Sequence, residues 1–210
     1  MNKKRKKLDL SKYTDWFEYL KNSIQKDHDG YKVIFVSDCD GILTDGRSYF
    51  TKDEKTHKSY GSYDKEAIRF ITDYMNDTLD FITDDKDGIE IHKTRIQHLS
   101  DSCKYLSFEI INKSPQERYE YIKYLRNQFK YFRSDVYEYK EVIIVFIGDS
   151  ISDIPALSEA DIAMTTNNAP DEVKEYCNYV SKYNGGVGGY ADCIFHFYKN
   201  FKYVKTILNI

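Results

Sequence analysis

Two aspartates one residue apart, Asp38 and Asp40, close the apolar run Val33–Val36 and lead straight into Gly41. An apolar run that ends in acidic residues reads as a buried parallel strand whose carboxyl end carries chemistry. Ligands of open α/β sheets gather at those ends. Two unpaired carboxylates cannot share a core, because an isolated buried charge costs more than folding offsets. A divalent cation or a phosphate-handling site is one physical reason to place them together, and a solvated strand-to-turn junction is the other. A second run, Val142–Ile147, is the most apolar in the chain and enters another acidic turn that holds Asp149 and Asp153. Between the two, the segment Leu79–Thr83 ends on a hydroxyl, and Lys113 stands just before Ser114-Pro115.

Parallel, adjacent strands bring Asp38/Asp40, Thr83, Lys113 and Asp149/Asp153 to one edge of a sheet. Carboxylates, a hydroxyl and a lysine there suit phosphoryl transfer assisted by Mg²⁺. That ion takes hard oxygen ligands and leaves positions for water and phosphate. The reaction itself needs charge neutralisation and in-line placement above all.

The elements that must position these groups follow from periodicity. Ser11–Gln25 has apolar residues at helical spacing, with a turn at Asp27–Gly30. Residues 46–62 read as a hairpin with a charged turn near Lys52–Lys55, and Asp64–Tyr74 as a helix. Residues 87–98 read as a helix and Leu106–Ile111 as a strand. Ser114 is an N-cap, with Pro115 at the first helical position and Glu117 three residues on. After the second acidic turn come a helix (Ile154–Glu159), a strand (Asp161–Met164), a helix (Pro170–Cys177) and Tyr179–Ser181. The Gly-rich stretch Gly185–Gly189 then opens a terminal helix. Alternating strands and helices predict an α/β fold with a largely parallel, Rossmann-like sheet, helices on both faces and a β-hairpin after the first strand. The predicted division is a basic tail and helical extension over residues 1–30, then one domain over 31–210.

Composition bounds the rest. The formal net charge of -3 gives no strong field for nucleic acid or membrane. The basic block Lys3–Lys7 could touch RNA, but a solvated tail accounts for it. No run approaches the roughly 18 apolar residues of a membrane span, and no apolar stretch follows the basic block as a secretory signal requires. The 4 cysteines show no CxxC pairing and suit a reducing compartment without zinc. A cytoplasmic protein is the expectation.

The stretch DCDGILTDG after an apolar strand, the hydroxyl-ended second strand, a lysine before a helix and the turn GDSISD resemble the haloacid dehalogenase (HAD) superfamily of phosphatases over roughly Lys32–Asp192. More narrowly, LTDGR, the aromatic hairpin and the C-terminal Gly-rich stretch are similar to the 3-deoxy-manno-octulosonate 8-phosphate phosphatases. The resemblance implies a phosphomonoesterase working through an aspartyl-phosphate on a small phosphorylated metabolite, a sugar acid or sugar phosphate. It makes Asp38 the nucleophile and Asp40 the general acid and base. Thr83 becomes a hydrogen-bond donor to the phosphoryl group, and Lys113 its counter-charge, with Arg118 as the alternative carrier of that charge. Mg²⁺ would be held by Asp38, by Asp40 through its backbone carbonyl, and by Asp149, with Asp153 supporting from behind. The intervals Gly46–Leu79 and Ile111–Val142 are too short for a separate cap domain, which needs on the order of 50 residues. Capless relatives assemble as tetramers, so a homotetramer is the implied state, with Tyr49 and Phe50 as contact surface.

Three departures lie near substrate-facing positions. Asp84-Asp85 stands where the narrower family carries Gly-Arg, Val187 where it carries Arg, and Tyr63-Asp64-Lys65 where it carries Arg-Asp-Gly. The resemblance therefore carries the chemistry further than the specificity. The competing readings are a nucleotide or nucleic-acid-end phosphatase of the same superfamily and a non-catalytic regulatory protein on this fold.

Overall fold

The computed structural model describes residues 21–22, 30–52, 54–100, 110–112, 114–131 and 141–208. The expected helix over Ser11–Gln25 and the basic tail lie almost wholly outside the described residues.

The chain enters on β1 (Tyr31–Asp38), turns through the first acidic loop, and forms a small hairpin from β2 (Tyr49–Phe50) and β3 (Lys55–His57). Next come α1 (Asp64–Arg69), which runs on as a π-helical segment over Phe70–Tyr74, then β4 (Thr78–Thr83), α2 (Ile89–Ser100) and β5 (Ile110–Asn112). The second half holds α3 (Pro115–Tyr131), β6 (Glu141–Ile147), α4 (Ile154–Glu159), β7 (Ile162–Thr165), α5 (Asp171–Lys174), β8 (Tyr179–Val180), α6 (Gly189–Lys199) and α7 (Phe201–Leu208).

Six strands form one sheet in the order β5-β4-β1-β6-β7-β8, every neighbouring pair parallel. The central strand β1 therefore connects outward in both directions, and the order reverses beside it. That reversal opens a crevice at its carboxyl end, where ligands of such sheets bind. The predicted sheet and its hairpin are both present. Among the described residues between Gly46 and Leu79 there are only the hairpin and one helix with its π-helical continuation, and they form no separate lid.

The period-two alternation of the strands sorts their side chains into two cores. Val33, Phe35, Phe81 and Val145 pack on one face against Ile68, Phe70, Ile194 and Phe197 of α1, its π-helical continuation and α6. Ile34, Val36, Ile82 and Phe146 pack on the other against Ile122 of α3, Leu157 of α4 and Val173 of α5. Each such buried apolar side chain contributes roughly 1.5–3 kcal/mol relative to exposure. Covered on both faces, β1 is wholly apolar from Val33 to Val36, and its chemistry is confined to its end.

Two expectations shift locally. The helix expected over Pro170–Cys177 is only α5, because Pro170 is extended at φ -57, ψ 152. Beyond it, the Asn178 side chain accepts the Ala163 N–H at 2.8 Å and draws the chain back to the sheet. The single terminal helix is two. Asn200 leaves helical geometry at φ -112, ψ 18, and its side-chain amide donates to the His196 carbonyl at 2.8 Å, a cap that ends α6. No helix among the described residues is long and apolar enough to cross a membrane.

Candidate active site

Asp38 is the last residue of β1 and sits beside Ile82 of β4. Its Oδ1 accepts the Cys39 N–H at 2.7 Å, which fixes the carboxylate against the turn. Gly41 takes φ +75, and a Cβ there would lie 1.8 Å from Asp149 Oδ2. The two acidic turns thus meet at a position only glycine can hold. Behind them runs the Gly-rich stretch. A Cβ on Gly185 would fall 1.8 Å from the Gly41 carbonyl oxygen, and Gly186 N–H donates to Ile42 O at 3.2 Å. The Thr166 hydroxyl also donates to Gly41 O, at 3.1 Å. These glycines permit close packing beneath the first acidic turn, while Val187 stands 58% exposed.

Asp38, Asp149 and Asp153 bring carboxylate oxygens within 4.8 Å of one another. Asp153 is fully committed. Its Oδ2 accepts the N–H groups of Asp149 (3.1 Å) and Ser150 (3.0 Å) and the Ser150 hydroxyl (2.8 Å), and its Oδ1 takes Arg118. It shapes the second turn and supports its neighbours from behind. Arg118 projects inward from the first turns of α3 and is 1% exposed. Its Nη1 lies 3.0 Å from Asp38 Oδ2 and also contacts Asp153, and its Nη2 lies 3.3 Å from Asp84 Oδ1. Burial alone would lower the Arg118 pKa, but Asp38, Asp153 and Asp84 raise it instead. One guanidinium does not balance the cluster. Burial, then the Asp153 charge, pushes the Asp38 carboxyl well above its ordinary range. Burial and the charges of Asp153 and Asp40 push Asp149 up to about 7. Hard oxygen donors short of positive charge fit a divalent cation such as Mg²⁺.

Asp40 has different surroundings. Lys58, on the return from the hairpin, places Nζ 2.5 Å from both Asp40 oxygens and also contacts Asp85. His92 of α2 sets Nε2 3.2 Å from Asp40 Oδ2, and the Thr44 hydroxyl donates to Oδ1 at 3.1 Å. Burial by itself would raise Asp40, but hydrogen bonds from His92 and Lys58 hold it well below the usual carboxylate range. Asp40, Asp85 and His92 also cluster within 4.8 Å. The Lys58 ammonium lies among them, 3.3 Å from His92 Nε2, so a second metal ion does not fit there.

Asp38, Asp149 and Asp153 thus lie in one group, with Asp40 in an adjoining one. Thr83 ends β4, is 1% exposed, and accepts the Asp85 N–H on Oγ1 at 3.1 Å, which leaves its hydroxyl proton for another acceptor. Lys113 lies outside the described residues. Arg118, the alternative, is the cation found on Asp38. The acidic pair after Thr83 is compensated, since Asp84 meets Arg118 and Asp85 accepts both Lys55 (2.6 and 2.5 Å) and Lys58. Lys58 and His92 were not anticipated. His92 stands at an inward position of α2 in series with Ile96 and Leu99, a spacing that reads as core, and only the packing of α2 brings it to Asp40. Cys39 is fully buried, and burial pushes its thiol well up, as expected of a packing residue.

The family model for haloacid dehalogenase-like hydrolases matches residues 4–194. No curated protein matches the chain. Among solved structures, the cobalt-bound deoxy-D-mannose-octulosonate 8-phosphate phosphatase of Haemophilus influenzae is 20% identical with a TM-score of 0.61, over 87% of this chain and 92% of that one. The 3-deoxy-D-manno-octulosonate 8-phosphate phosphatase of Moraxella catarrhalis, solved with magnesium ion, phosphate ion and KDO, is 17% identical with a TM-score of 0.57, over 90% and 93%. A putative HAD superfamily (subfamily III A) hydrolase of Legionella pneumophila is 16% identical with a TM-score of 0.62, over 91% and 94%.

Proposed function

The chain belongs to the haloacid dehalogenase-like hydrolases, and we propose that it is a Mg²⁺-dependent phosphomonoesterase acting on a small phosphorylated sugar or sugar acid. The observation that carries this reading is the pairing of unlike environments on neighbouring aspartates. Asp38 faces a guanidinium and an under-neutralised carboxylate cluster, while Asp40 is held by Lys58 and His92.

In this reading an Asp38 carboxylate oxygen attacks phosphorus. The bond from phosphorus to the ester oxygen breaks, and the departing alkoxide takes a proton from Asp40. Asp40 is held ionised in the free protein; a phosphoryl dianion placed against it raises its proton affinity, and it takes up from solvent, as substrate binds, the proton it then donates. Water then attacks phosphorus, Asp40 takes its proton, and the bond to Asp38 breaks to free phosphate. Arg118 and the Thr83 hydroxyl stabilise charge on the transferring group. Asp38, the Asp40 carbonyl and Asp149 would hold Mg²⁺, which when bound supplies charge neutralisation at the phosphoryl oxygens. The test is phosphate release from a panel of sugar phosphates, sugar acid phosphates and nucleotides with and without Mg²⁺. Turnover that ignores chelation, or a preference confined to nucleotides, would overturn the metal or the substrate class respectively.

Among the described residues Gly46–Leu79 forms no lid over the site, and strand β2 of the hairpin carries Tyr49 at 40% and Phe50 at 67% exposure. We infer a homotetramer in which these aromatics are covered by a neighbouring copy. Light scattering at micromolar concentration tests it, and a mass of one chain would contradict it.

A further inference from the structure

The Asp40 carboxylate is gripped by groups that neither acidic turn supplies. Lys58 Nζ stands 2.5 Å from Oδ1 and 2.5 Å from Oδ2, so it neutralises the group without choosing between its oxygens. His92 does choose: its Nε2 approaches Oδ2 at 3.2 Å, while the Thr44 hydroxyl takes Oδ1 at 3.1 Å. The imidazole is itself oriented. Its Nδ1 lies 2.8 Å from the Tyr60 hydroxyl, and the two rings meet edge to face at 5.8 Å. A neutral ring satisfies both of these contacts when Tyr60 donates to Nδ1 and Nε2–H donates to Asp40. Lys58 Nζ, 3.3 Å from the same Nε2, already places its hydrogens on Asp40 and Asp85 and needs no bond to the ring. His92 is 0% exposed. With no surface to offer a substrate, it acts through the site groups it touches, Asp40 and the Lys58 ammonium that binds the same carboxylate.

The terminal torsion of an aspartate is soft, so an unrestrained carboxylate samples a broad range of orientations. A reacting group misplaced by about 1 Å can lose on the order of 100-fold in rate. We propose that His92, held by Tyr60, is a positioning residue that fixes the rotation of the Asp40 carboxylate towards the leaving-group oxygen. This rests on the reading of Asp40 as the acid and base of the reaction. It assigns a role to a buried histidine and to a tyrosine of the loop after the hairpin.

The test compares two esters: an alkyl sugar phosphate, whose alkoxide must be protonated to leave, and p-nitrophenyl phosphate, whose phenolate leaves with little help. In His92→Phe, kcat/KM on the alkyl ester should fall about 10- to 100-fold, because that ratio ends at departure of the leaving group and leaves out the hydrolysis of the aspartyl-phosphate common to both esters, while KM stays within about twofold. On p-nitrophenyl phosphate the loss should stay below about threefold. His92→Gln keeps a donor near the Nε2 position and should recover most of the alkyl-ester activity. Tyr60→Phe removes only a hydroxyl and should show the same selectivity at smaller size, which covers the case in which His92→Phe does not fold. Equal losses on both esters, or a change in KM alone, would overturn the proposal. Asp40→Asn separates the two layers. Equal loss on both esters in that variant would sink the acid role itself. Selective loss there, without it in His92→Phe and Tyr60→Phe, would sink the positioning role alone.

Discussion

Arg118 Nη1 lies 3.0 Å from Asp38 Oδ2, so the side chain from α3 meets the carboxylate at the end of β1 across the sheet edge. The same guanidinium braces Asp153 and reaches Asp84. A planar, permanently charged fork can serve three carboxylates at once, which a lysine ammonium cannot do with the same geometry.

Removing that fork should therefore cost stability as well as rate. Arg118→Met leaves Asp38 and Asp153 buried without their partner, and breaking such a group costs about 3–5 kcal/mol. Arg118→Lys should restore charge but little of the activity. Urea denaturation beside turnover measurements checks both. A Met variant as stable as the parent would show that the cluster does not depend on Arg118.

Gly41 offers a sharper geometric test. Gly41→Ala suffers both the positive φ, worth about 1–2 kcal/mol, and a Cβ driven into Asp149. Gly46 has nearly the same φ, +77, but its Cβ would meet only the Gly41 backbone at ordinary contact distance, Cα at 3.7 Å and N at 3.8 Å. Gly46→Ala should lose stability while it keeps metal response, and Gly41→Ala should lose both. Equal behaviour of the two in a Mg²⁺ thermal-shift titration would contradict the contact.

The pH dependence of stability should carry the mark of Asp64. It is buried at the start of α1, where the backbone N–H of Ala191 is the one hydrogen-bonding group that pulls its carboxyl down. Burial pushes it up to about 7 against the opposing pull of Arg95. The folded state then holds a proton that the unfolded chain releases near 3.8. Unfolded molecules bind fewer protons in that window, so stability falls as pH rises from 3.8 to about 7 and levels above it. Asp64→Asn should lessen the slope in denaturation midpoints taken across that range, leaving the share that the raised Asp149 and Asp38 contribute. An unchanged slope would assign the effect elsewhere.

Mg²⁺ should stabilise the protein more at about pH 8 than at about pH 6, because the ion competes with protons for its carboxylates. Asp149, pushed up to about 7 in the metal-free protein, is the group that sets this difference. Asp149→Asn should shrink the Mg²⁺-induced rise in Tm at the higher pH. A rise of equal size in that variant would remove Asp149 from the metal site.

The parts of the site that the sequence made legible are those whose chemistry is local. Asp38, Asp40, Asp149 and Asp153 each follow an apolar strand by a few residues, and the parallel sheet does the rest. Arg118 was legible only as an alternative, since helical phase alone does not tell which cation near the start of α3 turns inward. Lys58 and His92 were illegible for a different reason. Each reads as an ordinary residue of its own element, one beside a polar hairpin and one on an inward helical face. Their meeting at Asp40 depends on how α2 and the hairpin pack. The same limit applies to Gly185, whose close approach to Gly41 O is tertiary.

The most direct test of the central claim is the identity of the residue that carries phosphate during turnover. Acid quench in the presence of substrate and Mg²⁺, borohydride reduction and peptide mass spectrometry should find the acyl-phosphate reduced to homoserine at position 38, with no such product in Asp38→Asn. A reduced product at another aspartate, or full turnover in Asp38→Asn, would contradict the account.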